Sequence, residues 1–333
     1  MSLDGLQPLP LAMTTVTVLV ALLVDHLLGE PPVRYHPVVW MGRALGWAGE
    51  RIAPVAGAAP AGFDGRAWGL GFGAWWLLAL VCAAVGGTLQ AGLAISGLHP
   101  AAQALLLGLL LKPLLAWRML NDEVQAVETA LQQSLPQGRE RLAWLVSRDV
   151  SQLSAGQVRE SAIESLAENL NDSVVAPLFW FAVAGLPGAA LFRLANTADA
   201  MWGYPAERNG RVWTWAGQWA ARADDVLGWL PARLTALLLW PAALHPGKGF
   251  ENARRLRAEA RRTASPNSGW PMAAVALRLQ VRLGKPGVYT LNASGREPGA
   301  AQVLLALNLS KKMDFSLIFA LLFAIVFGVI FGH

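Results

Sequence analysis

AWGLGFGAWWLLALVCAAVGGTLQAGLAISGLHPAAQALLLGLLL, residues 67–111, holds no Asp, Glu, Lys or Arg. One membrane-spanning helix needs about 20 apolar residues, so this stretch is long enough for two. Ser96-Gly97-Leu98-His99-Pro100 interrupts it with residues that break helices, and the reading is two spans joined by a tight turn. Met13 to Leu28 and Phe315 to Gly332 are further candidate spans, the second introduced by Lys311 and Lys312. Composition agrees: of 333 residues 54% are hydrophobic and only 15% charged, where soluble domains carry roughly 25% charged residues. Several of the fifteen tryptophans, among them Trp68, Trp75, Trp76 and Trp117, lie near span ends or along span faces, where interfacial anchoring is common. The expected fold is all-α: a polytopic integral membrane helical protein with cytosol-facing polar loops and broken or re-entrant helices.

No Lys or Arg precedes Arg34 and no small-residue cleavage pattern follows the first apolar run, so that run is expected to act as an anchor. Arg34, Arg43 and Arg51 place its C-terminal side in the cytosol. The basic stretch 246–312 should be cytosolic too, as should 121–173 after two spans. Segments 174–192 and 226–245 are almost long enough to span, yet carry Pro177 and Pro187, and Pro231 and Pro241. If both spanned, 193–225 would be cut off from the other polar segments. They are therefore expected to re-enter or lie in the interface, which broken helices can do where protein covers them. The result is one membrane-embedded domain, 1–333, with four clean spans and one cytosolic site from 25–50, 121–173, 193–225 and 246–312.

The strongest chemical signal is RDVSQLSAGQVRESAIESLAENLND, residues 148–172. Glu160, Glu164, Glu168 and Asp172 are spaced by four and stack on one helical face. Like charges at that spacing repel, so the ladder needs a metal ion, an arginine cluster or a cationic substrate. Asn169 flanks the face. An acid-rich surface that merely stays wet is the plain alternative, and the apolar run that follows at 174–192 argues against it.

Four more polar clusters stand out. Asp25-His26, Gly29-Glu30-Pro31 and His36-Pro37 form the first. Asn196-Thr197-Ala198-Asp199 through Tyr204 is the second, which could simply cap a helix. Arg222-Ala223-Asp224-Asp225 with Pro231-Ala232-Arg233 is the third. Its RxDD run could be a surface ion pair, but Arg233 interrupts apolar sequence and calls for a partner, for which an aspartate of the Asp224-Asp225 pair or one from the 164–172 helix is expected. Ser265-Pro266-Asn267-Ser268-Gly269-Trp270-Pro271 is the fourth, readable as a turn and helix start. Its small residues could equally offer backbone N–H groups to an anion.

Other chemistries find no support. Cys82 is the single cysteine and lies in an apolar span; the five His show no zinc spacing. There is no phosphate loop, dinucleotide fingerprint or nucleophile elbow. A net charge of +5 fits a basic cytosolic face, and no nucleic acid is expected.

In order, D-x3-G-E-P…HP, RD-x3-L…E-S-x-A-E-N-x2-D-x4-P-L-F, N-T-x-D-x-M-x-G-Y, R-x-D-D-x5-P-A-R-L-T-A and S-P-N-S-G-x-P resemble one family over residues 20 to 290. It is the membrane-bound adenosylcobinamide-phosphate synthase family of cobalamin biosynthesis. The family's later LGG-x2-Y reads Leu283-Gly284-Lys285-Pro286-Gly287-Val288-Tyr289 here, with Lys285 in place of the second Gly.

The resemblance implies an acid–amine ligase joining the free propionate of adenosylcobyric acid to aminopropanol or its O-phosphate. It implies ATP and Mg2+, with no zinc, haem or flavin. Catalytic roles fall on Glu164, Glu168, Asn169, Asp172, Asp199, Asp224 and Asp225, with Glu168 and Asp172 as magnesium ligands. Substrate-binding roles fall on Asp25, His36, Arg148, Asp149, Asn196, Thr197, Tyr204, Arg222, Arg233, Ser265, Asn267, Ser268 and Gly269. Trp202, Trp213 and Tyr204 could cover one face of a corrin. The expected place is the bacterial inner membrane, active site toward the cytosol, with the lipid bilayer, late corrinoid enzymes or a second copy as partners. The rival readings are a transporter, which would also show Pro-broken helices, and a non-catalytic sensor.

Overall fold

The computed structural model describes residues 9–57, 60, 62–241 and 247–331, with side chains as far as Ile318. Helices dominate, and among the described residues the only strands are two short hairpins. The chain divides into two compact units. One comprises the described residues of Met1–Leu115, Ala176–Leu227 and Ala324–His333, the other Ala116–Val175 and Gly228–Phe323.

The first unit starts with α1 (Leu11–Leu28) and α2 (Pro37–Ile52), followed by α3 (Gly65–Ala94) and α4 (Pro100–Leu111). The uncharged stretch is thus two helices, and its break falls in Ser96–His99 as expected. His99 caps α4, its Nδ1 accepting from the Ala101 N–H at 3.3 Å, with Pro100 in the first turn. Among Gly69, Gly71 and Gly73, only Gly71 is packed against other described residues: a Cβ there would strike the Ala216 carbonyl.

The second unit builds α5 (Trp117–Gln133), α6 (Leu135–Leu142) and α7 (Ala155–Leu170), which runs into a π-helical turn at Asn171–Val175. From there the chain re-enters the first unit as α8 (Ala176–Trp202) and the β1–β2 hairpin (Glu207–Arg208, Arg211–Val212). α9 (Gln218–Leu239) begins in the first unit and ends in the second. α10 (Gly249–Ala260), α11 (Gly269–Leu279), the β3–β4 hairpin (Leu283–Lys285, Tyr289–Leu291) and α12 (Ala300–Phe331) follow.

Four helical stretches among the described residues are long and apolar enough to cross a membrane: Leu11–Leu28, Gly65–Ala94, Pro100–Gln133 and Ala155–Trp202. The protein is an all-α membrane protein. The set differs from the expected one in its fourth member. Residues 174–192, expected not to span, belong to the longest apolar stretch. The expected span at 315–332 lies in α12, but its side chains from residue 319 and Gly332 itself lie outside the described residues.

Both proline-bearing segments are repaired by side chains. α8 leaves helical geometry at Ala184 and Gly185, two residues before Pro187. The Leu186 N–H exposed there is taken by Gln90 Oε1 of α3 at 2.8 Å. Gly185 has φ +64°, and a Cβ on it would strike that same oxygen, so only glycine fits. In α9, Pro231 has no N–H for the Leu227 carbonyl. The Trp180 indole donates to that carbonyl instead, at 2.9 Å. Backbone groups freed at a helix break must be satisfied where water is scarce, and these two are.

Candidate functional site

The first unit holds a closed charge network. Asp25, at the end of α1, is completely buried, and Lys112 follows α4. Lys112 Nζ lies 3.2 Å from Asp25 Oδ1 and 3.1 Å from Glu30 Oε1. His36 Nδ1 accepts from the Val38 N–H, so Nε2 carries the proton and donates to Glu30 Oε2 at 2.9 Å. Asp25 and His36, expected to bind substrate, are here parts of a clamp that ties the loop after α1 to the end of α4. Lys112 escaped sequence reasoning because it looked like the mere end of a span.

The N-T-x-D and R-x-D-D motifs meet within the same unit. Asn196 Nδ2 donates to Asp224 Oδ1 at 3.3 Å, joining α8 to α9. Thr197 donates to the Arg193 carbonyl at 2.6 Å, and a Cβ at Gly203 would strike Asp199 Oδ1. Asp225 is half-buried and Arg222 exposed. The aromatic surface imagined for a corrin is differently used. Trp202 is 1% exposed and stacked on Trp213 in the core, its indole donating to the Leu45 carbonyl at 3.2 Å. Tyr204 lies under the Arg208 guanidinium.

In the second unit the acidic seam is real and its first half is neutralised. Ser154 and Gln157 form a reciprocal capping box that starts α7, as the spacing S-x-x-Q allows. Glu160 accepts from Arg282 at 3.0 and 3.2 Å. Glu164 accepts from Arg148 Nη2 at 3.1 Å, and that same nitrogen donates to Ser161 at 2.6 Å. The expected countercharge is therefore a pair of arginines, with Arg159 separately clamping buried Glu128 through two bonds of 2.8 and 2.9 Å. Glu168, Asn169 and Asp172 are only half-buried. Asn169 Nδ2 donates back to the Ser165 carbonyl at 2.9 Å, and Asp172 Oδ1 accepts from Asn171 Nδ2 at 2.7 Å. The π-helical turn ends strict four-residue stacking at Glu168, because each of its bonds spans one more residue than in an α-helix; such turns recur at functional sites. Asp149 is exposed and locked by the Ser151 N–H and hydroxyl, which hold its pKa below the ordinary value.

The β3–β4 hairpin covers the seam. Between them lies a cavity of about 560 Å3, lined by Gln157, Glu160, Arg282, Lys285 and Tyr289 among others. Tyr289 is pushed well above the ordinary phenol pKa by burial and by the carboxylate of Glu164, with Glu168 adding to it. It therefore remains a hydrogen-bond donor beside the acids. Lys285, the departure from LGG-x2-Y, is a wall of this cavity. Sequence reasoning gave no role to Arg282, Lys285 or Tyr289, although the comparison with LGG-x2-Y pointed to the loop.

A second cavity, about 530 Å3, is lined by Arg233, Ser265, Pro266 and Trp270 with Arg257 and Arg261. Arg233 has a partner, but not the expected aspartate. Its Nη1 donates to Asn267 Oδ1 at 2.8 Å and to the Trp229 carbonyl at 2.6 Å, its Nη2 to the Pro266 carbonyl at 3.0 Å. The turn before α11 brings those acceptors to α9, which spacing alone could not show. The N–H groups of Asn267 and Ser268, expected to cradle an anion, both point to Ser265 Oγ, at 3.1 and 3.3 Å. Gly269 packs against the Ala260 carbonyl at the end of α10. Among the described residues no three His, Cys, Asp or Glu side chains converge as a metal cage. Magnesium commonly takes only one or two carboxylates together with water and substrate phosphates, and half-exposed Glu168 and Asp172, one turn apart, fit that smaller demand.

The protein is thus an all-α membrane protein that carries arginine-clamped acids and arginine-lined cavities. A family model described as CobD/Cbib protein matches residues 18–309. "Probable cobalamin biosynthesis protein CobD" of Methanothermobacter thermautotrophicus is 40% identical over 274 residues, 82% of this chain and 85% of that protein. "Cobalamin biosynthesis protein CobD" of Chromobacterium violaceum is 42% identical over 272 residues, 81% of each. The protein of that name from Brucella suis is 37% identical over 302 residues, 85% of this chain and 88% of its own. No solved structure matches. The chain belongs to the CobD/Cbib family, and its role lies in cobalamin biosynthesis.

Proposed function

We propose that this protein is an acid–amine ligase that joins the free propionate of adenosylcobyric acid to aminopropanol or aminopropanol phosphate, at the expense of ATP. The observation that carries the reading is the α7 seam, with its first two acids held by Arg282 and Arg148 and its last two half-exposed. A carboxylate does not acylate an amine unaided, because oxide is a poor leaving group. Attack of the propionate oxygen on the γ-phosphorus of ATP, with departure of ADP, gives an acyl phosphate. Attack of the amine nitrogen on the acyl carbon then expels phosphate and forms the amide. The amine arrives as an ammonium ion and must lose a proton first. One carboxylate of the seam is the base proposed for that step, and Glu164 with Tyr289 would orient the ammonium beside it. Magnesium bound with the nucleotide would be held by Glu168 and Asp172 and would offset phosphate charge.

The proposed location is the bacterial inner membrane with the site toward the cytosol, where ATP is. The bilayer, a second copy and late corrinoid enzymes are the proposed neighbours. The broken helix α8 favours a second reading, transport of a corrinoid. One assay separates the two. Purified protein, adenosylcobyric acid, aminopropanol phosphate and Mg-ATP should yield the amide, read by mass. Substrates recovered unchanged with a folded preparation would eliminate the ligase.

A further inference from the structure

Three arginines with no acid among them line the cavity beside α11. Arg257 and Arg261 lie four residues apart, on one face at the end of α10, and both are exposed. Arg233 reaches the same cavity from α9. Like charges so placed repel unless an anion joins them. Of the two acids on the same helix, Glu251 lies in its first turn, and Glu259 is taken: it accepts from Arg262 at 3.0 Å and from the Asn292 N–H at 2.7 Å.

Arg233 is held in a way that presets it for a ligand. Its guanidinium lies over the Trp229 ring at 4.5 Å and the Trp270 ring at 4.7 Å. Three of its hydrogen bonds go to neutral acceptors: the Trp229 and Pro266 carbonyls and Asn267 Oδ1. A guanidinium has five N–H groups, so two remain beyond these bonds. Its orientation is thus fixed by groups that leave its charge uncompensated. A planar guanidinium fixed by its neighbours loses little freedom on binding a tetrahedral oxyanion, which it prefers to contact through two parallel bonds. Thr263 and Ser265 stand on the wall, and a volume of about 530 Å3 is in the range of small-molecule sites.

We propose that the cavity formed by Arg233, Arg257 and Arg261 between α9, α10 and α11 binds a phosphate ester. The backbone of Ser265–Gly269 serves to hold Arg233, through Asn267 and Pro266, and the side chains do the binding. Which phosphate ester it is rests on the ligation reading, under which a nucleotide triphosphate or the amino alcohol phosphate would occupy it. The same chemistry is offered by an anionic lipid headgroup.

The test uses the full-length protein in nanodiscs of zwitterionic lipid and, separately, of lipid containing phosphatidylglycerol. Binding of inorganic triphosphate, ATP and aminopropanol phosphate is measured by calorimetry, without turnover. For the wild type in zwitterionic lipid we expect saturable binding of a soluble phosphate compound that weakens with salt. Arg257→Ala and Arg261→Ala, both on an exposed helix face, should each weaken it roughly ten- to a hundredfold with an unchanged melting temperature. Arg233→Lys should do the same if the planar fork matters. Binding seen only as an arginine-dependent enrichment of phosphatidylglycerol around the protein would assign the site to a headgroup. Equal affinity of wild type and the Arg257→Ala/Arg261→Ala variant for every compound, with no lipid preference lost, would overturn the proposal. Intact binding without amide formation would remove the ligation reading and leave the site standing.

Discussion

The two units bury charge in opposite ways. In the first, one lysine serves two acids: Lys112 sits on Asp25 and Glu30, and Glu30 is finished by His36. Lys112 and Asp25 have almost no surface, while Glu30 and His36 at the rim keep 17% of theirs. In the second, each buried acid of α7 has its own arginine, and the seam continues past them into half-exposed Glu168 and Asp172. The difference teaches where to look for chemistry. A closed network holds helices together, while an open one has spent charge to build a surface.

If that contrast is right, changes at the open end should remove turnover and spare stability. Glu168→Gln and Asp172→Asn are each expected to lower amide formation at least about a hundredfold, the scale of a lost general base. Melting temperatures should stay near wild type, since both side chains are half-exposed. Near-normal product formation in both variants would break the comparison at its open side.

The closed side should answer the other way. Lys112→Met strands two carboxylates in an apolar setting, and removing one partner of a buried pair costs about 3–5 kcal/mol. Adding Asp25→Asn and Glu30→Gln should recover much of that loss in detergent unfolding curves. A Lys112→Met protein with wild-type stability would show that the network is not what it looks like.

Gln90→Leu extends the test to a neutral closed contact. It leaves the Leu186 N–H at the α8 break without an acceptor, at an expected cost of about 1–3 kcal/mol. Reduced thermal stability with retained substrate affinity is the predicted pair of results; loss of affinity alone would argue that the break belongs to a site.

The smallest effect concerns Tyr289. Its pKa is raised in the folded protein above the ordinary phenol value of 10.0. Below pH 10 the phenol is protonated in both states and nothing changes. Above it the unfolded chain ionises while the folded one resists, so folding loses stability as pH rises, by at most about 1.4 kcal/mol per pH unit. Tyr289→Phe should flatten that decline between pH 10 and 11. Unfolding curves of equal steepness for both proteins would mean that Tyr289 is not held protonated beside Glu164.

Much of this arrangement could be read from spacing. The break at Ser96–Pro100, the acid seam and the need of Arg233 for a partner are all local patterns, set by chain stereochemistry within a few residues. What escaped depends on contacts that no period encodes. Arg282 meets Glu160 from 122 residues away, and Arg233 found Asn267 at a separation of 34. An aspartate was expected for Arg233 because charge invites charge; packing instead put two carbonyls, an amide and two indole faces in reach. The position of the α8 break was also hidden. Proline marked the neighbourhood, but the non-helical residues are Ala184 and Gly185, where glycine permits the turn and Gln90 supplies an acceptor.

The Gln90–Leu186 contact also orders events during synthesis. The acceptor is made 96 residues before the donor it serves. When the interrupted half of α8 leaves the ribosome, α3 is already available to receive it, and the bare amide need never face lipid. A circular permutant opened between the two would reverse that order. The break would then emerge first, with nothing to close it, although every contact of the finished protein would be the same.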